Sequence, residues 1–181
     1  MEQKEDLIKI AEESMATGKL SLRKTKDGDE KYFSKWWRDK ELLALTSGIL
    51  KPLSDKDVKR YFLAMLQSGN DYHFIILLDG NVIGHISLTK RDNQWYETQI
   101  IIGDKEYCGK GYGTKAIQLL LEKTKKLKIQ NIYLEVRPDN ARAISAYENS
   151  GFVKAGVREY PENEHLPQTI RMELRKEPAI L

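Results

Sequence analysis

Residues 97 to 128, which read ETQIIIGDKEYCGKGYGTKAIQLLLEKTKKLK, combine an apolar strand, a glycine-rich turn and a long amphipathic helix. The turn contains Gly109, Gly111 and Gly113. Glycine lets a backbone approach a ligand closely, and the first N–H groups of a helix have no partner inside the helix. Because the helix dipole also favours negative charge there, this segment predicts an anion site for a phosphate-bearing ligand.

Spacing separates the kinds of phosphate ligand that use such a turn. The P-loop of nucleotide-binding proteins has the pattern G-x-x-x-x-G-K-[ST]. Here five residues separate Gly103 from Gly109, and Lys110 is followed by Gly111 rather than by a hydroxyl residue that could bind magnesium. The spacing therefore argues against a P-loop.

The dinucleotide-binding fingerprint G-x-G-x-x-G/A is a more serious rival. Gly111, Gly113 and Ala116 match it, and Glu135 lies at about the separation expected of a ribose-binding acid. A doubly wound domain needs several more strand and helix units after its fingerprint, however, and only 68 residues follow Gly113 in this chain of 181. An NAD-dependent oxidoreductase is therefore the weaker alternative.

A third interpretation comes from resemblance. Residues 108–113 resemble the pyrophosphate loop Gln/Arg-x-x-Gly-x-Gly/Ala of the GNAT superfamily of N-acetyltransferases, although Cys108 stands in the Gln/Arg position. Residues 132–152, IYLEVRPDNARAISAYENSGF, are similar to the second motif of that superfamily: a strand, Asn140 opening a short helix, Tyr147 inside it, and Gly-Phe after it. The similarity runs from about residue 20 to residue 175. It is closest to the branch of ribosomal-protein N-terminal and spermidine acetyltransferases.

The resemblance implies an α+β fold: a central, mostly antiparallel, twisted sheet of six to seven strands with helices on both faces. The element order agrees, since a meander precedes one right-handed strand-helix-strand crossover and then antiparallel strands. We predict a single domain over 1–181 with a leading helix at 1–17. The further predicted elements are a strand at 19–25, helices at 32–45 and from Ser54 to Gly69, a hairpin at 71–90, a strand at 95–102, a helix at 112–128, a strand at 131–136, a helix at 141–149 and strands at 152–160 and 168–175.

The resemblance also implies that acetyl-CoA is the co-substrate. The strand at 99–102 is expected to splay from its neighbour and to bind the pantetheine arm through its main chain, while Asn140 both caps its helix and contacts CoA. The predicted CoA-binding residues are Ile100, Ile101, Ile102, Cys108, Gly109, Lys110, Gly111, Tyr112, Gly113, Thr114 and Asn140. We interpret the Cys108 thiol as a spectator, because no His or acid lies at a recognisable spacing.

The resemblance implies that Tyr147 is the general acid, since a phenol with a pKa near 10 can donate to a thiolate leaving group. Packing in the core at helical spacing from Ile144 is the structural alternative. Glu97 is the candidate base, because alternation places it on the same face of its strand as Gln99, although a salt bridge on a solvated strand is equally plausible.

Contacts with the acceptor are predicted for Trp36, Trp37 and His85. Adjacent helical residues point in different directions, so one tryptophan is expected in the core and the other in the pocket. A buried structural histidine is the alternative for His85.

We predict direct acetyl transfer in a ternary complex to a primary amine, which is a protein N-terminus, a polyamine or another small amine. A non-catalytic acyl-CoA-binding module is the alternative.

Composition sets the remaining expectations. The formal charge of +3 is spread along the chain, which does not call for nucleic acid. The longest apolar stretch, 74–78, is too short to span a bilayer, and the amino terminus does not resemble a secretory signal. With one cysteine no internal disulfide can form. We therefore expect a cytoplasmic monomer or homodimer without a metal.

Overall fold

A computed structural model describes residues 18–46 and 51–175. In this part of the chain, seven strands form one sheet in the order β1-β2-β3-β4-β5-β7-β6. Neighbours are antiparallel except β4 and β5, which are parallel. The strands are β1 Leu20–Lys24, β2 Tyr72–Leu78, β3 Asn81–Lys90, β4 Trp95–Ile102, β5 Asn131–Val136, β6 Phe152–Glu159 and β7 Gln168–Leu174.

Five α-helices accompany the sheet within the same residues. They are α1 Glu30–Trp36, α2 Lys40–Thr46, α3 Asp55–Gln67, α4 Tyr112–Lys126 and α5 Ala141–Glu148. The predicted strands and helices between residues 18 and 175 are confirmed with one exception. The leading helix predicted at 1–17 lies outside the described residues.

The exception is the single helix predicted over 32–45, which is wrong because the chain forms α1 and α2 there. Regular helix ends at Trp37. The Asp39 carboxylate then accepts the N–H groups of Glu41 at 3.0 Å and Leu42 at 3.1 Å. A short acidic side chain that bonds nearby N–H groups starts a new helix in place of continuing the old one.

Helices cover both faces of the sheet, as predicted. On one face, Ala116, Ile117 and Leu120 of α4 pack with Ile86 and Leu134 in the main core. On the other face, Phe33 and Trp36 of α1 and Phe62 of α3 pack on Ile75 of β2. Because side chains alternate along a strand, β4, β5 and β7 place polar residues on this second face: Glu97, Gln99, Tyr133, Glu135, Arg171 and Glu173.

The β2–β3 connection shows how local sequence fixes the register. Asp79 and Gly80 adopt φ of 49° and 85°, the left-handed region that tight hairpin turns require. Leu78 pairs with Asn81 directly beside this turn. Among the helices described here, none is both long enough and apolar enough to cross a bilayer.

Candidate active site

Strands β4 and β5 separate shortly after they begin. Their pairing consists of Trp95 with Asn131, Tyr96 with Ile132 and Glu97 with Tyr133. Beyond this point β4 continues against β3, and β5 continues against β7. Among the described strands, none therefore pairs with residues 98–102 of β4 on their β5 side, which leaves a wedge-shaped opening in the middle of the sheet.

Hydrogen-bond direction identifies the main-chain groups that line this opening. The N–H of Gly103 donates to Ile83 O at 2.8 Å, so Gly103 faces β3. Main-chain groups alternate in direction along an antiparallel ladder. Those of Ile100 and Ile102 therefore point into the opening together with those of Thr98. Those of Ile101 face β3, where Ile101 pairs with His85, so the predicted main-chain contact from Ile101 to CoA does not fit this register.

The glycine-rich turn presents a continuous row of free N–H groups. Gly109 and Gly111 have φ of 76° and 79°, and no side chain caps the start of α4. The first loop-to-helix bond runs from Lys115 N–H to Gly111 O at 3.1 Å. Between Cys108 and Lys115, the N–H groups of residues 109–114 donate to no described residue. Six adjacent donors at a helix N-terminus form a cradle for an anion.

Cys108 contributes less to this cradle than predicted. Its N–H donates to Lys105 O at 3.0 Å, inside the protein. Its Sγ lies 3.8 Å from Ile102 O and 3.7 Å from Asp104 O. Tyr112 is buried, with its ring 6.2 Å from that of Tyr107, so only its main chain can reach a ligand. The side chain of Lys110 is exposed at the mouth of the loop.

Gly113 is not required by packing within the protein. A Cβ atom at this position would meet only Ile100 Cδ1, at 4.0 Å. Gly113 is helical, where glycine costs about 1 kcal/mol relative to alanine. The missing side chain therefore leaves space beside Ile100 and the opening, as a bound ligand would require.

Tyr147 and Asn140, two further predicted site residues, lie within α5 and at its N-cap. The Tyr147 ring packs edge-on to Phe152 at 6.1 Å, and burial raises the pKa of Tyr147 to about 12. Its hydroxyl bonds to no described residue, so at neutral pH it is a proton donor without a protein acceptor. Asn140 Oδ1 accepts the N–H of Ala143 at 3.1 Å, which confirms the predicted cap and leaves the side-chain NH₂ group for a ligand.

Glu97 is held in an ion pair. It accepts hydrogen bonds from Arg91 Nε at 2.8 Å and Arg91 Nη2 at 2.6 Å, and Gln99 Nε2 lies 3.4 Å from its other oxygen. The carboxylate side chain is only 14% exposed. Hydrogen bonds to the charged form of a carboxylate oppose its protonation. The structure therefore favours the salt-bridge alternative for Glu97 over the role of base.

Sequence reasoning considered Glu135 only as a ribose-binding acid and missed its place beside the opening. It lies two residues beyond the last β4–β5 pair, on the same face as Glu97. Its Oε2 accepts the Tyr160 hydroxyl at 2.5 Å and the Thr169 hydroxyl at 2.7 Å, while Arg158 Nε lies 3.7 Å from Oε1. The available signal was a lone acid inside the apolar strand 131–136.

The predicted acceptor contacts divide into buried and partly open residues. Trp36 is buried and Trp37 is half-buried, and both rings pack edge-on to Phe33, at 5.4 and 5.1 Å. His85 is also buried against Phe33, with its Nε2 3.3 Å from His73 Nδ1. Burial lowers the pKa of His85 to about 3. Trp36 and His85 are thus core residues, and their predicted substrate contacts do not fit this packing, whereas Trp37 is the tryptophan that remains accessible.

In residues 18–46 and 51–175, no three His, Cys, Asp or Glu side chains cluster in a way that could hold a metal ion. The candidate site consists of the β4–β5 opening and the N–H row at 109–114, and Asn140 and Tyr147 of α5 are its further predicted members. A separated strand pair beside a glycine-capped helix defines the acyl-CoA-binding class of GNAT folds.

Comparison with known families agrees with this assignment. Residues 19–153 match the family described as Acetyltransferase (GNAT) domain, and the chain belongs to that family. A stretch of 73 residues is 34% identical to ribosomal protein bS18-alanine N-acetyltransferase from Escherichia coli, covering 39% of this chain and 49% of that protein. The chain thus spans about half the length of that curated relative.

Longer matches extend over most of the chain. An uncharacterized N-acetyltransferase from Bacillus licheniformis is 25% identical over 158 residues, which are 82% of this chain and 87% of that protein. The structure of spermidine N-acetyltransferase from Vibrio cholerae in complex with CoA and spermine superposes with a TM-score of 0.74 at 25% identity, covering 86% and 94% of the two chains. An aminoglycoside acetyltransferase in complex with coenzyme A and kanamycin shares the fold, with a TM-score of 0.73 at 20% identity, covering 87% and 95%.

Proposed function

We propose that this protein is an N-acetyltransferase that transfers the acetyl group of acetyl-CoA to a primary amine by direct attack in a ternary complex. The observation that carries the proposal is the β4–β5 opening together with the six N–H groups of residues 109–114, which donate to no described residue and lie beside it at Gly113 and Ile100. A dinucleotide-binding fold, the alternative for an NAD-dependent oxidoreductase, does not require two separated strands of this kind. Bound acetyl-CoA supplies an activated acyl group in the form of a thioester.

Each part of CoA has matching groups in the protein. The N–H groups of residues 109–114 suit the pyrophosphate, and the Lys110 ammonium adds positive charge. The main-chain groups of Ile100 and the N–H of Ile102 suit the amides of the pantetheine arm, whereas Ile102 O already lies 3.8 Å from Cys108 Sγ. The side-chain NH₂ of Asn140 is a further donor. These assignments retain most of the residues predicted from the sequence.

Tyr147 acts on the departing sulfur. With a pKa of about 12 it is protonated throughout the neutral range. A thiol has an ordinary pKa near 8.5, so complete proton transfer from Tyr147 to a thiolate is uphill. Its contribution is therefore a hydrogen bond that stabilises negative charge on sulfur as it develops, before solvent supplies the final proton.

Glu135 is the proposed group that receives the proton of the acceptor amine. It borders the opening and accepts hydrogen bonds from two neutral hydroxyls, with Arg158 Nε at 3.7 Å, whereas Arg91 binds Glu97 twice, at 2.8 and 2.6 Å. An α-amino group with a pKa near 8 is already about one-tenth neutral at pH 7. A polyamine with a pKa near 10.4 is neutral at about one part in a few thousand and depends more strongly on such a base.

The β6–β7 loop supports a cationic acceptor. Residues 159–165 border an open surface depression of about 610 Å³, and Glu159, Glu162 and Glu164 are among the residues that line it. Tyr160, from the same loop, bonds to Glu135 and so connects this depression with the proposed base. The V. cholerae enzyme of similar fold was crystallised with spermine, a polycation. Protein N-termini, polyamines and other small amines are therefore the proposed acceptors.

Two measurements test the proposal. First, acetyl-CoA, free CoA and NAD are added separately in a thermal-unfolding assay, where a ligand at 100 times its Kd stabilises the folded state by about 2.7 kcal/mol. We expect stabilisation by both CoA species, and stabilisation by NAD alone would contradict the proposal. Second, a panel of polyamines, aminoglycosides and N-terminal peptides is assayed by thiol release. CoA binding without turnover of any amine would favour a non-catalytic module.

A further inference from the structure

The end of β4 is packed directly against helix α1. Gly103 follows the last residue of β4, and its N–H donates to Ile83 O at 2.8 Å. A Cβ atom on Gly103 would overlap Nε1, Cε2 and Cδ1 of Trp36. Trp36 itself is only 3% exposed. The indole ring thus occupies the space above Gly103, and only glycine fits between this ring and the strand.

Two ion pairs join the same region to the first helices. Lys35 of α1 pairs with Asp104, and Glu41 of α2 pairs with Lys105. These pairs are exposed for the most part, so each contributes little free energy. They nevertheless show that α1 and α2 contact three consecutive residues, 103–105, immediately after β4.

This contact continues to the glycine loop. The N–H of Cys108 donates to Lys105 O at 3.0 Å, and Cys108 Sγ lies 3.7 Å from Asp104 O. The free N–H row begins at the next residue, Gly109. The position of residues 103–105 therefore determines where the first donors of the anion cradle lie.

We propose that Trp36 is a positioning residue for the acyl-CoA loop, acting through Gly103 on binding of the donor and not on binding of the acceptor. The inference rests on the proposed function. Donor groups that hold a ligand must keep their positions within about 0.5 Å. A ring that closes against a glycine sets such a position by direct contact. Trp37 packs on the same Phe33 ring, but the three atoms nearest to a Cβ on Gly103 all belong to Trp36, which makes Trp37 a matched control.

The test compares Gly103→Ala, Trp36→Leu, their double variant and Trp37→Leu. The Kd for free CoA is measured by calorimetry below the unfolding temperature of each variant. We expect Gly103→Ala to weaken CoA binding about tenfold, because it displaces the loop. Trp36→Leu weakens binding several-fold. In the double variant the smaller side chain makes room for the alanine, so the loss is smaller than the product of the single losses, while Trp37→Leu binds CoA like the wild type.

A second measurement, the KM of the amine acceptor, separates an effect on acetyl-CoA binding from an effect on acceptor binding. At saturating acetyl-CoA, Trp36→Leu keeps the acceptor KM of the wild type. The inference is overturned if Gly103→Ala and Trp36→Leu both bind CoA like the wild type. It is also overturned if Trp36→Leu raises the acceptor KM without changing CoA affinity. Either result leaves the proposed function intact. Failure of the wild type to bind CoA overturns both. If Trp36→Leu does not fold, Trp36→Phe is measured by the same criteria.

Discussion

The Tyr160 hydroxyl donates a hydrogen bond of 2.5 Å to Oε2 of Glu135. This bond raises the pKa of Tyr160 to about 12, so the hydroxyl stays a donor across the neutral range. Glu135 is therefore held in one orientation at the edge of the β4–β5 opening by a neutral hydroxyl, while Arg158 Nε lies 3.7 Å from its other oxygen. Glu97, on the neighbouring strand, is instead neutralised by Arg91.

This difference predicts unequal effects for two matched substitutions. Glu135→Gln should lower kcat/KM about 100-fold with a polyamine acceptor, because general base catalysis contributes at least this much. Glu97→Gln should lower it less than about tenfold, since that carboxylate is already paired. Steady-state kinetics over a range of pH distinguishes the two variants. A larger loss in Glu97→Gln than in Glu135→Gln would reverse the assignment of the base.

Tyr147→Phe should lower turnover about 100-fold, because the variant cannot donate a hydrogen bond to the departing sulfur. Its Kd for CoA and its free energy of unfolding should stay close to those of the wild type, since the hydroxyl has no partner among the described residues. Single-turnover kinetics and calorimetry measure both quantities. Wild-type turnover in the variant would leave Tyr147 as a core residue only.

Gly113→Ala should separate stability from ligand binding. The added methyl group has room, and alanine in the helix should raise the free energy of unfolding by about 0.5 to 1 kcal/mol. The same methyl group should weaken CoA binding several-fold, because it enters the space beside the N–H row. Chemical denaturation and calorimetry provide the two values. A variant that is more stable and binds CoA like the wild type would show that Gly113 does not border the ligand.

Gly111→Ala and Gly28→Ala form a second matched pair. Both glycines have positive φ, 79° and 86°, and both have open space around the position of a Cβ atom. Each substitution should cost about 1 to 2 kcal/mol of stability, because alanine is strained in this conformation. Only Gly111→Ala should also weaken CoA binding. Equal CoA affinities in the two variants would contradict the loop assignment.

The His73–His85 pair predicts acid sensitivity. Burial lowers the pKa of His85 to about 3, and it lowers the pKa of His73 as well. Below pH 6.5 the unfolded chain binds protons that the folded protein does not, so stability falls as the pH decreases, by up to about 1.4 kcal/mol per pH unit for each histidine. Urea denaturation between pH 7 and 4 should show this slope. His85→Gln should reduce it, whereas His165→Gln, at an exposed position, should not.

Local signals in the sequence were sufficient for much of the fold and for part of the site. The Asn140 cap, the glycine loop and the hairpin turn at Asp79 depend on neighbouring residues, and the structure has each of them where the sequence predicted it. Their geometry follows from backbone conformations that only a few residue types adopt. The binding and catalytic roles of the site residues stay predictions.

Other features depend on contacts between distant segments. The Arg91–Glu97 pair forms because the chain reverses at Asn93 and Gln94, which have φ of 55° and 63°. The burial of Trp36 depends on Gly103, 67 residues along the chain. The direction of the Ile101 main chain is set by the register with β3. Periodicity gives the face of a strand but not its register or its covering helix, which explains why the sequence predicted binding roles for Ile101, Trp36 and His85 that their packing and register do not favour.

Because only three residue pairs join β4 to β5, the sheet is mechanically two sheets. Strands β1 to β4 form one ladder and strands β5, β7 and β6 form the other, with a short seam at the bottom of the wedge. Widening the wedge breaks no hydrogen bond between the described strands, but it disturbs the core, because α4 packs on residues of both ladders. An extended arm that enters the gap supplies the missing hydrogen bonds to Ile100 and Ile102 and acts as an eighth strand. On the proposed function the ligand is then part of the sheet, and the sheet is continuous from β1 to β6 only while the ligand is bound.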